Sequence, residues 1–351
     1  MRLVGVGNLR IGGQIARPIL DADGQTLVPS GQFVDTATKR LIQDMRISRL
    51  YVVDAEMADV EVDPILGPEA YTDLLQQTYQ ALSQELRATT LRDAARLLVR
   101  EVKQNGAGLL TAVDVRPLNA YIVGHSVWGA MLAVLVGRSL KYGDAQLLNL
   151  AQGMLVRDVG TRDLREELLT AEHTFSDEEY RETQEHARHG FDMLKDALQS
   201  SPLARSIALF HHERLDGSGY PRGARGDDIP QFGRIGAICD VYDALTSDRP
   251  HRAAMAPDQA ISHILAHSDQ FDAELARALA HRIAIYPPGI TVMLDTGDLA
   301  VVVAVPHANP LRPIVRLTGT WKGVRYQHLR DIDLARHTDI RILSSTLEPA
   351  A

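Results

Sequence analysis

The chain of 351 residues carries 37 Lys plus Arg against 45 Asp plus Glu, a formal net charge of −8. That balance excludes the basic face of a general DNA or RNA binder. The single cysteine, Cys239, excludes intrachain disulfides and cysteine-rich zinc modules, and leaves 13 histidines as the conspicuous metal-ligand type. Along the chain, residues 15–20, the Asp23-Gly24 turn and residues 26–28 predict a hairpin. Residues 35–45 have helical spacing with Asp35 as N-cap, and residues 49–53 form a β-type run. Pro64, Gly67 and Pro68 then punctuate the chain, so residues 1–65 are expected to form a small mixed α/β domain. Residues 71–103 contain no Gly or Pro. Leu74, Leu75, Tyr79, Leu82 and Leu86, continued by Leu91, Ala94, Ala95, Leu98 and Val102, predict one long packing helix.

From 119 to 282 almost every segment reads as helix: 119–142, 145–156, 177–200, 203–212, 232–247 and 257–266. The loop 215–231 is the exception, because its glycines and prolines preclude regular structure. The longest apolar run, 127–137, has 11 residues and is too short to span a bilayer. The Met-Arg-Leu start lacks a signal-peptide pattern, so a cytoplasmic protein without membrane association is expected. Past Pro287-Pro288-Gly289, residues 290–294, a Thr296-Gly297-Asp298 turn, 299–305 and 314–317 predict strands, making 283–351 a β-rich C-terminal extension.

Several polar residues of the helical block sit in apolar surroundings. His125 opens the apolar run, Asp158 follows the helix 147–156, and His186 lies on the helix after Asp177. His211 and His212 end the run 207–210, and Asp240 lies within 235–245. A carboxylate on an apolar face is costly unless paired or metal-bound. A lone histidine there is ordinarily a hydrogen-bonded core residue, but the adjacent pair is harder to explain so. The steps from 125 to 158, 186, 211 and 240 are 33, 28, 25 and 29 residues, each about one helix plus a turn. Each side chain would then come from a different helix, as in bundle metal sites. Histidine and aspartate suit Fe, Mn, Zn or Ni rather than Ca.

The string His211-His212-Glu213-Arg214-Leu215-Asp216-Gly217-Ser218-Gly219-Tyr220-Pro221-Arg222-Gly223 resembles the signature of the HD-GYP family, bacterial metal-dependent phosphohydrolases that cleave cyclic di-GMP. The similarity extends to Tyr121, His125-Ser126, Arg234-Ile235, the string 240–247, Arg249-Pro250 and Arg252, and covers roughly residues 70–282. It implies a mainly α fold, with an all-helical HD-type bundle over 66–282 between the two smaller pieces. It implies a binuclear site in which His125 and Asp240 bind the first metal and Asp158 bridges. His186, His211 and His212 complete the second. Asp158 and Asp240 would be catalytic, and Arg249, Arg252 and Tyr220 would contact substrate. Paired metals clamp a phosphodiester and generate hydroxide at neutral pH.

The chain departs from the family pattern at His-Asp-Ile-Gly-Lys, which here is Arg157-Asp158-Val159-Gly160-Thr161. Arginine stays protonated and cannot ligate a metal, and Thr161 removes a positive charge. Ala171-Glu172-His173 likewise stands where the family has Lys-Pro-Gly. These changes lead to the expectation that Arg157 fills the space of the first metal and pairs with Asp158 or Asp240. One divalent metal would then remain; with Arg157 turned to solvent instead, a weakened two-metal site would be left. Phosphodiesterase activity would be weak or lost, with a nucleotide- or partner-binding role instead. The alternative is an active phosphodiesterase on cyclic di-GMP or a related cyclic dinucleotide. Expected partners are a cyclic dinucleotide, a signalling protein at the loop from Gly217 to Gly223, and a second copy of the chain.

Overall fold

The structure, a computed structural model, describes all residues except 63–64, 84–85, 106–109, 111–120, 170–172, 174, 198–200, 249–253, 307 and 347–351. The N-terminal part runs β1 (Arg2–Gly5), β2 (Ile19–Leu20), β3 (Thr26–Val28), α1 (Thr36–Asp44) and β4 (Arg49–Val52), with β1 antiparallel to β4 and β2 to β3. The β2–β3 hairpin is shorter than expected. Pro18 has no N–H to donate to a ladder, so pairing begins at Ile19. Asp35 caps α1 as expected, its carboxylate accepting from the Thr38 amide at 2.7 Å. Val6, Leu9, Ile15, Ile19, Val28, Val34, Ile42, Ile47 and Leu50 form a buried cluster under these elements.

The single long helix expected over 71–103 is instead two helices, α2 (Pro68–Ser83) and α3 (Ala88–Asn105). Folding the chain back lets Leu74, Leu75 and Leu82 share one buried cluster with Leu91, Ala94, Ala95 and Leu98, which a continuous rod would have left half covered. The remaining helices are α4 (Tyr121–Ser139), α5 (Asp144–Leu155), α6 (Glu166–Leu169), α7 (Asp177–Gln184), α8 (His186–Ala197), α9 (Pro202–Phe210), α10 (Gln231–Thr246), α11 (Pro257–Ala266) and α12 (Ala273–Ala280). The stretch 122–139 of α4 is long and apolar enough to cross a membrane by composition, longer than the run of 11 suggested; 83% of it is buried in this fold. It is the central core helix.

The helix expected over 177–200 breaks at Glu185 into α7 and α8. Side chains there take carbonyls from the helical ladder: Thr183 Oγ1 donates to Tyr180 O at 2.7 Å, and His186 Nδ1 lies 2.6 Å from Thr183 O. The C-terminal part is a five-stranded antiparallel sheet of β5 (Thr291–Leu294), β6 (Asp298–Ala304), β7 (Ile314–Thr320), β8 (Arg325–Asp333) and β9 (Ile342–Thr346), in the order β8-β7-β6-β5-β9. The protein is mainly α with a β-rich tail.

Candidate metal centre

Four helix ends and one helix middle converge on a buried polar cluster. Asp158 follows α5 and opens a 3-10 turn, Val159–Asp163. Gly160 lets that turn touch α8: a Cβ there would lie 2.0 Å from His186 O, so no other residue fits. His211 caps α9, His212 follows it, and Asp240 and His125 project from α10 and α4. Donor atoms of Asp158, His186, His211 and His212 all lie within 4.8 Å of one another, as do those of His125, Asp158 and Asp240. Asp158 belongs to both groups, the place of a bridging ligand.

The first group fits a metal ion. His186 Nδ1 is directed at Thr183 O, and His211 Nδ1 lies 2.9 Å from Ile207 O and 3.0 Å from Ala208 O. Carbonyls accept only, so both rings carry their proton on Nδ1 and turn an Nε2 lone pair inward. Those two Nε2 atoms face each other at 3.5 Å and lie 3.7 and 3.4 Å from Asp158 Oδ1. Two lone pairs and a carboxylate oxygen at such spacing lack a positive centre. Burial pushes the His186 and His212 pKa values down, reinforced by neighbouring His211. Both are therefore neutral and able to ligate at neutral pH.

Against the second group lies a side-chain cation. Arg157 is fully buried. Its Nε sits 3.0 Å from Asp240 Oδ1 and 3.4 Å from Asp158 Oδ2, while its Nη atoms donate to Met154 O at 3.1 Å and His125 O at 3.2 Å. Gly129 makes room: a Cβ there would come within 3.1 Å of Arg157 Nη1. His125 Nε2 lies 2.9 Å from the same Asp240 oxygen, and its Nδ1 bonds Asp243. Burial alone would raise the carboxyl pKa values, but Arg157 and the histidines hold both Asp158 and Asp240 well below the usual carboxylate range. Thr161 donates its hydroxyl to Asp158 O at 2.7 Å.

Tyr220 forms one wall, its ring stacked on His212 at 4.6 Å between centroids. Burial raises its pKa, so it is a neutral phenol. Arg249 and Arg252 lie outside the described residues, as do Ala171 and Glu172. Two residues of the cluster had no assigned role from sequence. Asp243 lies three positions from Asp240 on α10, the one signal that could have found it. Glu213 is buried and accepts from the amides of Arg222 at 2.7 Å and Ala224 at 3.0 Å, bracing the 217–223 loop.

Residues 72–275 match the family described as HD domain, and residues 291–348 the family described as KOW domain associated with HD domain. The chain belongs to the HD-domain family, in its HD-GYP branch. Among its relatives, the "Cyclic di-GMP phosphodiesterase PA4108" of Pseudomonas aeruginosa is 33% identical over 244 residues, 69% of this chain and 58% of the relative. The "3'3'-cGAMP-specific phosphodiesterase 3" of Vibrio cholerae is 34% identical over 179 residues, 51% of this chain and 39% of the relative. The chain thus spans about half the length of these curated relatives. The fold resembles that of "Bd1817, a HDG"Y"P protein from Bdellovibrio bacteriovorus", with TM-score 0.51 and 16% identity over 79% of this chain and 97% of that one.

Proposed function

We propose that this chain is a cytoplasmic cyclic-dinucleotide signalling protein that holds a single divalent transition metal, with phosphodiesterase activity weak or lost and binding retained. The observation that carries this reading is the buried Arg157 guanidinium, 3.0 Å from Asp240 Oδ1. Fixed by two carboxylates and two backbone carbonyls, it supplies one positive charge where a divalent metal would bring two, and it offers no open coordination position for a phosphoryl oxygen or a water.

In this reading Asp158, His186, His211 and His212 hold the metal, whether Fe, Mn, Zn or Ni. A metal so bound polarises a phosphoryl oxygen and acidifies water. Tyr220 offers its ring face beside His212, a surface on which a base can stack. Arg249 and Arg252 would hold phosphate, bidentate contact being the reason for arginine. Position 161 contributes no cation, because threonine is neutral, and its hydroxyl donates to Asp158 O. Losing one preorganised electrostatic contact of this kind costs roughly 10²–10³ in turnover. Cyclic di-GMP is the proposed ligand, and the 217–223 loop the surface for a signalling protein. The four-residue metal group, still complete, favours a second reading in which one metal sustains slow hydrolysis.

Metal analysis of purified protein should give about one ion per chain, and two would overturn the Arg157 assignment. Cyclic di-GMP should bind without release of linear product in the presence of Mn or Fe. The double variant Arg157→His, Thr161→Lys should gain turnover. Wild-type turnover equal to that of the double variant would refute the proposal.

A further inference from the structure

Arg214 lies two positions after His212 and is anchored to the backbone of the metal group. Its Nη1 donates to Glu213 O at 2.9 Å and to His211 O at 3.4 Å, and its guanidinium lies over the Phe271 ring at 4.9 Å. These contacts fix the side chain but bring it no counter-charge. Among the described residues Arg214 forms no ion pair, and its Nε and Nη2 have no hydrogen-bond partner. The side chain is only partly buried, and both free nitrogens keep accessible surface. Asp240 in the metal centre and Tyr220 and Tyr180 at its rim lie within electrostatic reach of the guanidinium. Burial lowers its pKa, and Asp240 offsets that only in part. A cation so placed favours an incoming anion. Nε and Nη2 share one edge of the guanidinium, the geometry that takes two oxygens of one phosphate.

Tyr180, on α7, has a ring 52% exposed. It meets Tyr220 nearly edge-on, with centroids 6.5 Å apart and planes at 78°, while Tyr220 stacks on His212. The two tyrosines thus form a right-angled aromatic corner over the metal ligands. An open ring face at such a corner suits the flat face of a nucleobase.

We propose that Arg214 and Tyr180 are further ligand contacts at this site: Arg214 takes a phosphate of a cyclic dinucleotide through Nε and Nη2, and the Tyr180 ring stacks on one of its bases. This rests on the cyclic-dinucleotide reading above. It supplies a cation beside the metal group, where Thr161 contributes none.

The test is isothermal titration of the full metal-loaded chain with cyclic di-GMP, with metal content measured for every variant. Arg214→Gln should raise Kd at least tenfold, and Arg214→Lys should recover part of the loss. Tyr180→Ala should raise Kd at least fivefold, whereas Tyr180→Phe should bind as wild type does. Metal per chain should stay constant throughout. Wild-type binding with Kd unchanged in Arg214→Gln and Tyr180→Ala overturns this assignment and leaves the cyclic-dinucleotide reading standing. Failure of the wild type to bind overturns both. A Kd that rises only where metal is lost would make both side chains supports of the metal group, and would also overturn the inference.

Discussion

A fully buried guanidinium is tolerated only when its charge and its donors are matched. Burial works against the charged form of Arg157, but Asp158 and Asp240 outweigh it and raise its pKa. Breaking such a pair by removing one partner costs about 3–5 kcal/mol, because the other charge stays buried. Asp240→Ala should therefore lower the denaturant midpoint of the metal-free protein sharply, and Arg157→Met alone should do likewise. Combining Arg157→Met with Asp240→Leu should recover much of the loss. Additive losses in the double variant would show that the two side chains do not interact. At this scale the sequence was informative: a cation at 157 beside Asp158 pointed to pairing with a carboxylate. Asp243 and Glu213 were not legible, because a carboxylate in a helix or a glycine-rich loop looks the same in sequence whether it faces solvent or a buried donor.

Among the elements, the loop after α9 is braced from beneath. The two oxygens of Glu213 take the amides of Arg222 and Ala224. Hydrogen bonds to a charged acceptor contribute about 1.5–3 kcal/mol each when well made. Glu213→Ala should speed hydrogen exchange at the Arg222 and Ala224 amides by at least tenfold while the amides of α10 keep their protection. Equal exchange in variant and wild type would show that the loop is held otherwise. The helices α4, α5 and α7 to α11 were expected from apolar spacing, but α6 and the breaks were not. The division of α7 from α8 depends on Thr183 and His186 bonding to carbonyls of the preceding turn, and such competition leaves the apolar period unchanged. Strand β8 was missed for a related reason: as the edge of the sheet it buries only Ile332, so its alternation carries little apolar signal.

Across the whole molecule, Arg316 ties the two ends of the chain together. From β7 it donates to both oxygens of Asp59, at 2.6 and 2.7 Å, to both oxygens of Asp331, at 2.7 and 2.9 Å, and to Glu56 O at 2.8 Å. Hydrogen bonds from Arg316 hold the Asp59 carboxyl down at about 2, below its ordinary value. A depressed carboxyl contributes stability above the unfolded pKa, and that contribution is lost as pH falls toward the folded one. Asp59→Asn should thus lower Tm at pH 7, and the gap to wild type should close between about pH 4 and pH 2. Asp59 is 64% exposed, so the effect should stay below about 1 kcal/mol. A gap independent of pH would remove the charge from the explanation. No sequence pattern announces this link, since its partners are 257 residues apart.

The close approach of Gly129 to Arg157 has a consequence for how such proteins diversify. An arginine pinned at four points cannot move aside by the few tenths of an ångström that a methyl group on α4 would demand. Acquiring the arginine therefore requires glycine at 129 beforehand, whereas a lineage with histidine at 157 is free to exchange that glycine for alanine. The two positions should vary as a linked pair, and any relative carrying alanine at the first and arginine at the second would have to hold its guanidinium elsewhere.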